Sequence, residues 1–153
     1  MKIWFDVLTP KQLLFVEPMV KRIKNNHTVL CTSRDYNQVT QLAKIRNLKL
    51  VIVGKHGGSE RHDKLNASLS RAKLLSVRIK KFSPDITISF CSPEAARVSY
   101  GLNIDHVCFS DSPHASAVMR LVIPLVQKLL IPWIIPKKEF TKFGIDSKDI
   151  IHY

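Results

Sequence analysis

Glycine is scarce in this chain. There are five in 153 residues, and none falls in residues 7–15, directly after the first apolar run. A dinucleotide pyrophosphate needs glycines at that turn for close backbone approach, so their absence argues against an NAD or FAD site. No G-x-x-x-x-G-K-[ST] occurs either, which argues against a P-loop nucleotidase. Long apolar runs are missing: the longest candidate, 121–135, is broken by Pro124, Gln127, Lys128 and Pro132, short of the roughly 18 apolar residues of a membrane-spanning helix. The opening MKIWFDVLTPKQ lacks the basic, apolar, small order of a secretory leader. Cysteine is sparse and odd in number, Cys31, Cys91 and Cys108, with no C-x-x-C. Free thiols packed as small hydrophobes are expected, and with them a reducing, cytoplasmic location. Acidic residues are outnumbered, 12 against 24 Lys and Arg, for a net charge of +12. Such a field favours anionic partners: phosphorylated metabolites, an anionic membrane surface or nucleic acid. A solvated Lys-rich surface is the simpler reading of any single cluster. The lack of RRM, KH or zinc-finger signatures disfavours nucleic acid.

What is present is an alternation of short apolar runs with helical segments. Residues 2–7 (KIWFDV), 28–33, 48–53, 85–90, 104–110 and 128–131 read as strands. Most are continuously apolar or β-branched, the pattern of strands covered on both faces and hence of a parallel sheet. Asp35 with Gln38 resembles a capping box, followed by Val39, Leu42 and Ile45 as an inward face. The longest helix is expected over 63–82, with Leu65, Leu69, Ala72, Leu75, Ile79 and Phe82 inward and Lys64, Arg71, Lys73, Arg78, Lys80 and Lys81 outward. Ser92-Pro93 opens another helix, which Gly101 stops. A last helix spans 137–143. For the first helix, Thr9-Pro10 is one possible start, but Pro18 favours a start nearer Glu17. Ile150 to Tyr153 read as a further strand or a hinge, and Trp133 is expected in the core. Residues 1–153 therefore form one α/β domain, a doubly wound, Rossmann-like parallel sheet with right-handed crossovers.

In such sheets ligands bind beyond the carboxyl ends of the strands. That rule selects the loops holding Thr9 and Lys11, Arg34 and Asp35, the GKHGGS stretch with His56, Gly57 and Gly58, Ser92, and finally Asp111 to His114. Lys11, Arg34, His56 and His114 are expected to converge on one cleft suited to an anionic or polyhydroxyl ligand. The Gly57-Gly58 amides could cradle a phosphate, or merely form a flexible turn. Asp111 and His114 are the candidate catalytic residues, a carboxylate and an imidazole able to act as an acid–base pair. The plainer alternative is a turn-capping Asp111 and a surface His114. Two ligands do not make a metal site, so neither metal nor cofactor is expected.

The ordered set KIWFDVLTPKQ, TSRDYNQ, VGKHGGS, SPDITISFCSPEAARV and FSDSPHA resembles a largely archaeal family, domain of unknown function family 354. That family is in turn similar to GT-B type glycosyltransferases and to UDP-N-acetylglucosamine 2-epimerase. The resemblance covers essentially the whole chain. It implies the amino-terminal, acceptor-side lobe of a two-lobed fold, with a carboxyl-terminal lobe missing. Asp6, Thr9, Pro10, Arg34, Asp35, Gly54, His56, Gly57, Asp111 and His114 fall on the family's motif positions. The resemblance implies a glycosyltransferase-like or sugar-nucleotide-utilising protein. Its partners would be a sugar nucleotide or phosphorylated sugar acceptor and the missing lobe. The lobe alone is expected to be inactive and to self-associate through its strand-end face. The competing reading is a non-catalytic basic module that binds nucleic acid or anionic lipid through the helix over 63–82.

Overall fold

The computed structural model describes residues 1–153. Seven parallel strands form one sheet: β1 (Lys2–Asp6), β2 (Thr28–Asp35), β3 (Val51–Lys55), β4 (Ile86–Ser89), β5 (Asp105–Phe109), β6 (Lys128–Ile131) and β7 (Ile150–His152). Their order is β3-β2-β1-β4-β5-β6-β7. The chain thus winds outward from β1 to β3, then returns to lay β4 on the other side of β1. The β1/β4 boundary is the switch point, where loops from adjacent strands diverge to opposite faces and leave a crevice.

Strand β1 explains why the sheet is covered twice. Ile3, Phe5 and Val7 pack against Leu13, Val16 and Val20 of α1 (Pro10–Ile23) and against Val39 and Ala43 of α2 (Asn37–Ile45). Trp4, pointing the other way, packs with Leu75 and Ile79 of α3 (Arg61–Phe82) and with Ala95 and Val98 of α4 (Pro93–Gly101). Alternate residues of one strand feed two cores, as the period of two requires. A third core joins Met119 and Val122 of α5 (Ser116–Val122), Leu129, Ile131 and Ile150, and Phe140 of α6 (Lys138–Thr141). The doubly wound α/β architecture expected from the apolar runs is the one observed.

Several local expectations are corrected. Helix α1 starts at Pro10, not near Glu17: Thr9 accepts the Gln12 amide and Pro10 takes the first turn, where its missing N–H costs nothing. Pro18 lies inside the helix, which survives because Leu13, Val16 and Val20 anchor it on both sides of the lost bond. Asp35 does not cap α2. It is still in β2, paired with Lys55 across a register shift, and Tyr36 takes the cap position without a side-chain bond. Strand β3 begins at Val51, three residues later than expected. Ile45, at the end of α2, is exposed.

In α3 the expected faces are partly inverted. Leu65 and Leu69 are 56% and 60% exposed, whereas Arg71 is fully buried. A 22-residue helix is about 33 Å long, against about 17 Å for a five-residue strand. The buried stripe runs through Arg71, Leu75 and Ile79, and Leu65 and Leu69 lie off it, on the outer side of the helix. Trp133 is also corrected: it is 74% exposed beside exposed Ile134, in the proline-flanked loop after β6. No helix is long and apolar enough to cross a membrane.

Candidate functional site

Beneath the switch point lies a buried polar cluster centred on Asp6, the last residue of β1. Its carboxylate accepts from Thr32 Oγ1 at 2.6 Å and from Ser92 Oγ at 2.6 Å. The Arg71 guanidinium forks onto it from α3, Nη2 to Oδ1 at 2.6 Å and Nη1 to Oδ2 at 3.1 Å. Arg71 Nε donates to the Val53 carbonyl at 3.0 Å. Trp4 Nε1 donates to Thr32 Oγ1 at 2.7 Å, closing the cluster from below. Burial alone would lower the Arg71 pKa, but Asp6, and after it Glu94, outweigh burial and raise it. Gly54 permits the approach: it holds a φ of +72°, and a Cβ there would stand 2.9 Å from the Arg71 Cβ.

Above this floor the strand-end loops enclose two chambers. The first, about 370 Å³, lies among the ends of β1, β4 and β5, with Thr9, Lys11, Gln12, Glu94, Ser110 and Asp111 in its wall. The second, about 220 Å³, lies between the ends of β2 and β3 and the side of α3, with Arg34, Lys55, His56, Gly57, Lys64 and Glu94 in its wall. Arg34 and Glu94 line both. Glu94 sits in the first turn of α4, where the helix dipole favours a carboxylate. Its Oε2 accepts from Arg71 Nη1 at 3.4 Å and lies 3.4 Å from Ser92 Oγ, whose hydrogen goes to Asp6, while Oε1 has no protein partner. Two larger grooves, about 760 and 710 Å³, run outside this cleft along β3 and α3. Size alone would select them, but they do not gather the switch-point loops.

The structure places the expected residues unevenly. Lys11 and Asp111 meet in an ion pair across the first chamber, and Lys11 also lies over the Phe90 ring at 5.3 Å. Burial pushes the Asp111 carboxyl up, but the bonds from Lys11 and Ser112 outweigh it and hold it below its ordinary value. Asp111 makes no bond to His114, whose ring is exposed, makes no hydrogen bond and lines neither chamber. Arg34 and His56 do share a chamber. Thr9 caps α1 and borders the first chamber. Ser92 lies underneath, bonded to Asp6 and capping α4 through the Ala95 amide at 3.2 Å. Asp35 is exposed and lines neither chamber, and Gly58 lines an outer groove.

Glu94 and Arg71 were not among the expected site residues. A signal for each exists in the sequence. Glu94 follows Ser92-Pro93 in the first turn after the switch-point strand, and Arg71 stands in a four-residue stripe with Leu75 and Ile79. Deeper still, His106 Nε2 bonds Ser89 Oγ at 2.8 Å while its Nδ1 is buried without a partner. Burial pushes His106 down to about 4. Cys91 and Cys108 lie with their sulfurs 3.4 Å apart at the end of β4 and β5.

The same architecture occurs in other solved proteins. The UDP-GlcNAc 2-epimerase of Methanocaldococcus jannaschii, in complex with UDP-GlcNAc and UDP, superposes with a TM-score of 0.79 at 16% identity, over 99% of this chain and 46% of its own. The Neisseria meningitidis epimerase bound to UDP-GlcNAc gives 0.77 at 16% identity, over 99% and 45%. MurG of Acinetobacter baumannii gives 0.67 at 10% identity, over 99% and 44%. At such identities the likeness is one of fold, a Rossmann-like module of the kind found in GT-B epimerases and glycosyltransferases. An uncharacterised protein of M. jannaschii is 29% identical over 143 residues, 93% of this chain and 42% of that relative. The chain thus spans less than half the length of each of these proteins. The model of one family, described as a protein of unknown function (DUF354), matches residues 1–153 in full, and the chain belongs to that family.

Proposed function

We propose that this chain is the amino-terminal, acceptor-side lobe of a longer two-lobed protein that works on a sugar nucleotide, as a glycosyltransferase or epimerase. The observation that carries the reading is the convergence of Glu94, Arg34 and the Lys11–Asp111 pair at the switch point. The fold shared with proteins solved in complex with UDP-GlcNAc supports it. In this reading the two chambers form one wall of the cleft and a second lobe forms the other. The three free, buried thiols fit a cytoplasmic setting.

Glu94 is the acid–base residue. Arg71 holds one carboxylate oxygen and leaves the other free at the junction of the chambers, the geometry a general base needs toward a substrate hydroxyl. Asp111, held ionised by Lys11, is a weak base and serves to orient Lys11 and a bound hydroxyl. Arg34 supplies a planar fork for an anionic group. His114, on the loop after β5, lines neither chamber and has no part in this reading.

In the full-length protein, Glu94→Gln lowers turnover about 10²- to 10⁴-fold, the usual range for losing a general acid or base, and leaves affinity for UDP-GlcNAc nearly intact. Arg34→Met weakens binding more than turnover. Steady-state kinetics beside calorimetric binding checks both. If Glu94→Gln is fully active while Asp111→Asn or His114→Ala carries the loss, catalysis belongs to the latter pair. A second reading rests on α3, whose outer face exposes Leu69, Leu74 and Val77 among Lys73, Arg78 and Lys81. Co-sedimentation with anionic vesicles, with no turnover dependence on Glu94, would favour it.

A further inference from the structure

We infer that the second chamber is a phosphoryl-binding site, and that it takes a phosphomonoester as the second substrate rather than the diphosphate of the nucleotide. This deepens the sugar-nucleotide reading and rests on it for the word substrate. The chamber is lined by four cations, Arg34, Lys55, Lys64 and Arg71, against one carboxylate, Glu94. Only Arg71 is neutralised, by Asp6 beneath it and Glu94 beside it. Arg34, Lys55 and Lys64 make no ion pair. The Nε of Arg34 is buried and has no hydrogen-bond partner, a donor taken out of water and left unused. Burial depresses the Arg34 guanidinium, and Glu94 offsets only part of that. An anion in the chamber would satisfy both deficits.

His56 is prepared for the same guest. Its ring stacks on Tyr36, with centroids 5.3 Å apart at 24°. Its Nδ1 accepts the Gly58 amide at 3.1 Å. A nitrogen that accepts carries no proton, so in the neutral ring Nε2 bears the hydrogen and is a donor. Gly57 brings the two walls together: a Cβ there would stand 2.6 Å from the Lys64 Cα and 2.8 Å from the Asp63 carbonyl oxygen. The loop after β3 therefore lies directly on α3, and His56 and Lys64 border one space.

The donors come from three elements: Arg34 from β2, Lys55 and His56 from β3 and its loop, Lys64 and Ser68 from α3. Donors on three sides suit a tetrahedral group with oxygens in three directions better than a planar carboxylate. Glu94 stands at the junction with the first chamber. A phosphoryl group seated here would present the hydroxyl-bearing body of its ester to that carboxylate.

The test is titration of the 153-residue chain with inorganic phosphate, glucose 6-phosphate, glucuronate and UDP, read by calorimetry and by the ring resonances of His56. Phosphate and glucose 6-phosphate are expected to saturate and to move the His56 signals. Glucuronate should bind at least tenfold more weakly, and UDP should leave phosphate binding unchanged. Arg34→Met and Lys64→Met should each weaken phosphate at least tenfold, whereas Lys148→Met should not. Lys64 is exposed, so its variant keeps the test valid if Arg34→Met fails to fold. Unmoved His56 signals, or equal binding of phosphate by all variants, overturns the proposal. Displacement of phosphate by UDP reassigns the chamber to the nucleotide and overturns the second-substrate assignment. Loss of phosphate binding beside a Glu94-dependent turnover of UDP-GlcNAc sinks this inference alone. Phosphate binding with no such turnover sinks the sugar-nucleotide reading and with it the word substrate, and leaves the phosphoryl site standing.

Discussion

A single buried side chain makes this fold less stable in acid. His106 is fully buried in β5 and pushed by burial from its ordinary 6.5 down to about 4, with the Asp6 charge opposing weakly. Above pH 6.5 the imidazole is neutral in both folded and unfolded chains and contributes no slope. Between 6.5 and 4 the unfolded chain takes up a proton that the folded chain refuses, so stability falls as pH falls. Below 4 both forms carry the proton and the loss is complete, on the order of 3 kcal/mol at 1.36 kcal/mol per pKa unit. Denaturant melts of the wild type across this window should show the slope. His106→Leu should flatten it, though it leaves Ser89 Oγ only the Ser92 amide as a partner. A melt midpoint indifferent to pH between 6.5 and 4 would contradict this account. No reading of the chain alone singles out His106. The sequence shows a histidine in an apolar run but not that its Nδ1 meets nothing.

At the scale of elements, the clasp between α3 and the sheet is the feature with most at stake. Arg71 reaches from a helix to the carboxylate at the end of β1, and both groups are shut away from water. Removing one partner of a buried ion pair leaves the other charge uncompensated, typically at about 3–5 kcal/mol. Arg71→Met should therefore lower stability by about that amount, seen as a reduced urea midpoint. Asp6→Asn with Arg71→Met should recover part of the loss, since it removes one of the two carboxylates that Arg71→Met alone leaves uncompensated. Additive losses would show that the two groups do not act together. The strands were legible because each is a short continuous apolar run, and five of six expected strands begin within two residues of the observed start. The inward face of α3 was legible only from Ala72 onward. Periodicity reports which residues share a face. It does not report which of two neighbouring stripes meets the next layer, so Leu65 and Leu69 read as core. Arg71 read as solvated because its partner lies 65 positions away. Thr9 and Lys11 were legible from the strand-end rule. Glu94 was not, since its significance comes from two cavities meeting at one carboxylate.

The whole molecule presents one unusual face. On the side where the strands end, Trp133 and Ile134 project, and Tyr153 joins Phe15 and Phe109 in an aromatic group with centroids 5.0–5.9 Å apart. The Trp133 amide donates to the Tyr153 carbonyl at 3.0 Å, which ties the loop after β6 to the end of β7. Apolar area gathered beside a polar cleft is the usual mark of a surface meant to be covered. The isolated chain should accordingly associate with itself at high concentration. Sedimentation velocity should show a concentration-dependent shift that Trp133→Lys abolishes without changing the melting midpoint. A strictly monomeric wild type at millimolar concentration would count against the coverage of this face.

The two tryptophans divide the molecule optically. Trp4 is sealed in the core with its indole N–H bonded to Thr32, and Trp133 stands in solvent. The first should emit in the blue and resist iodide, the second emit in the red and be quenched readily. Global unfolding moves the blue component. Covering the strand-end face dims access to the red component and leaves the blue one still. The protein therefore carries, without any label, separate lamps for its interior and for its open side.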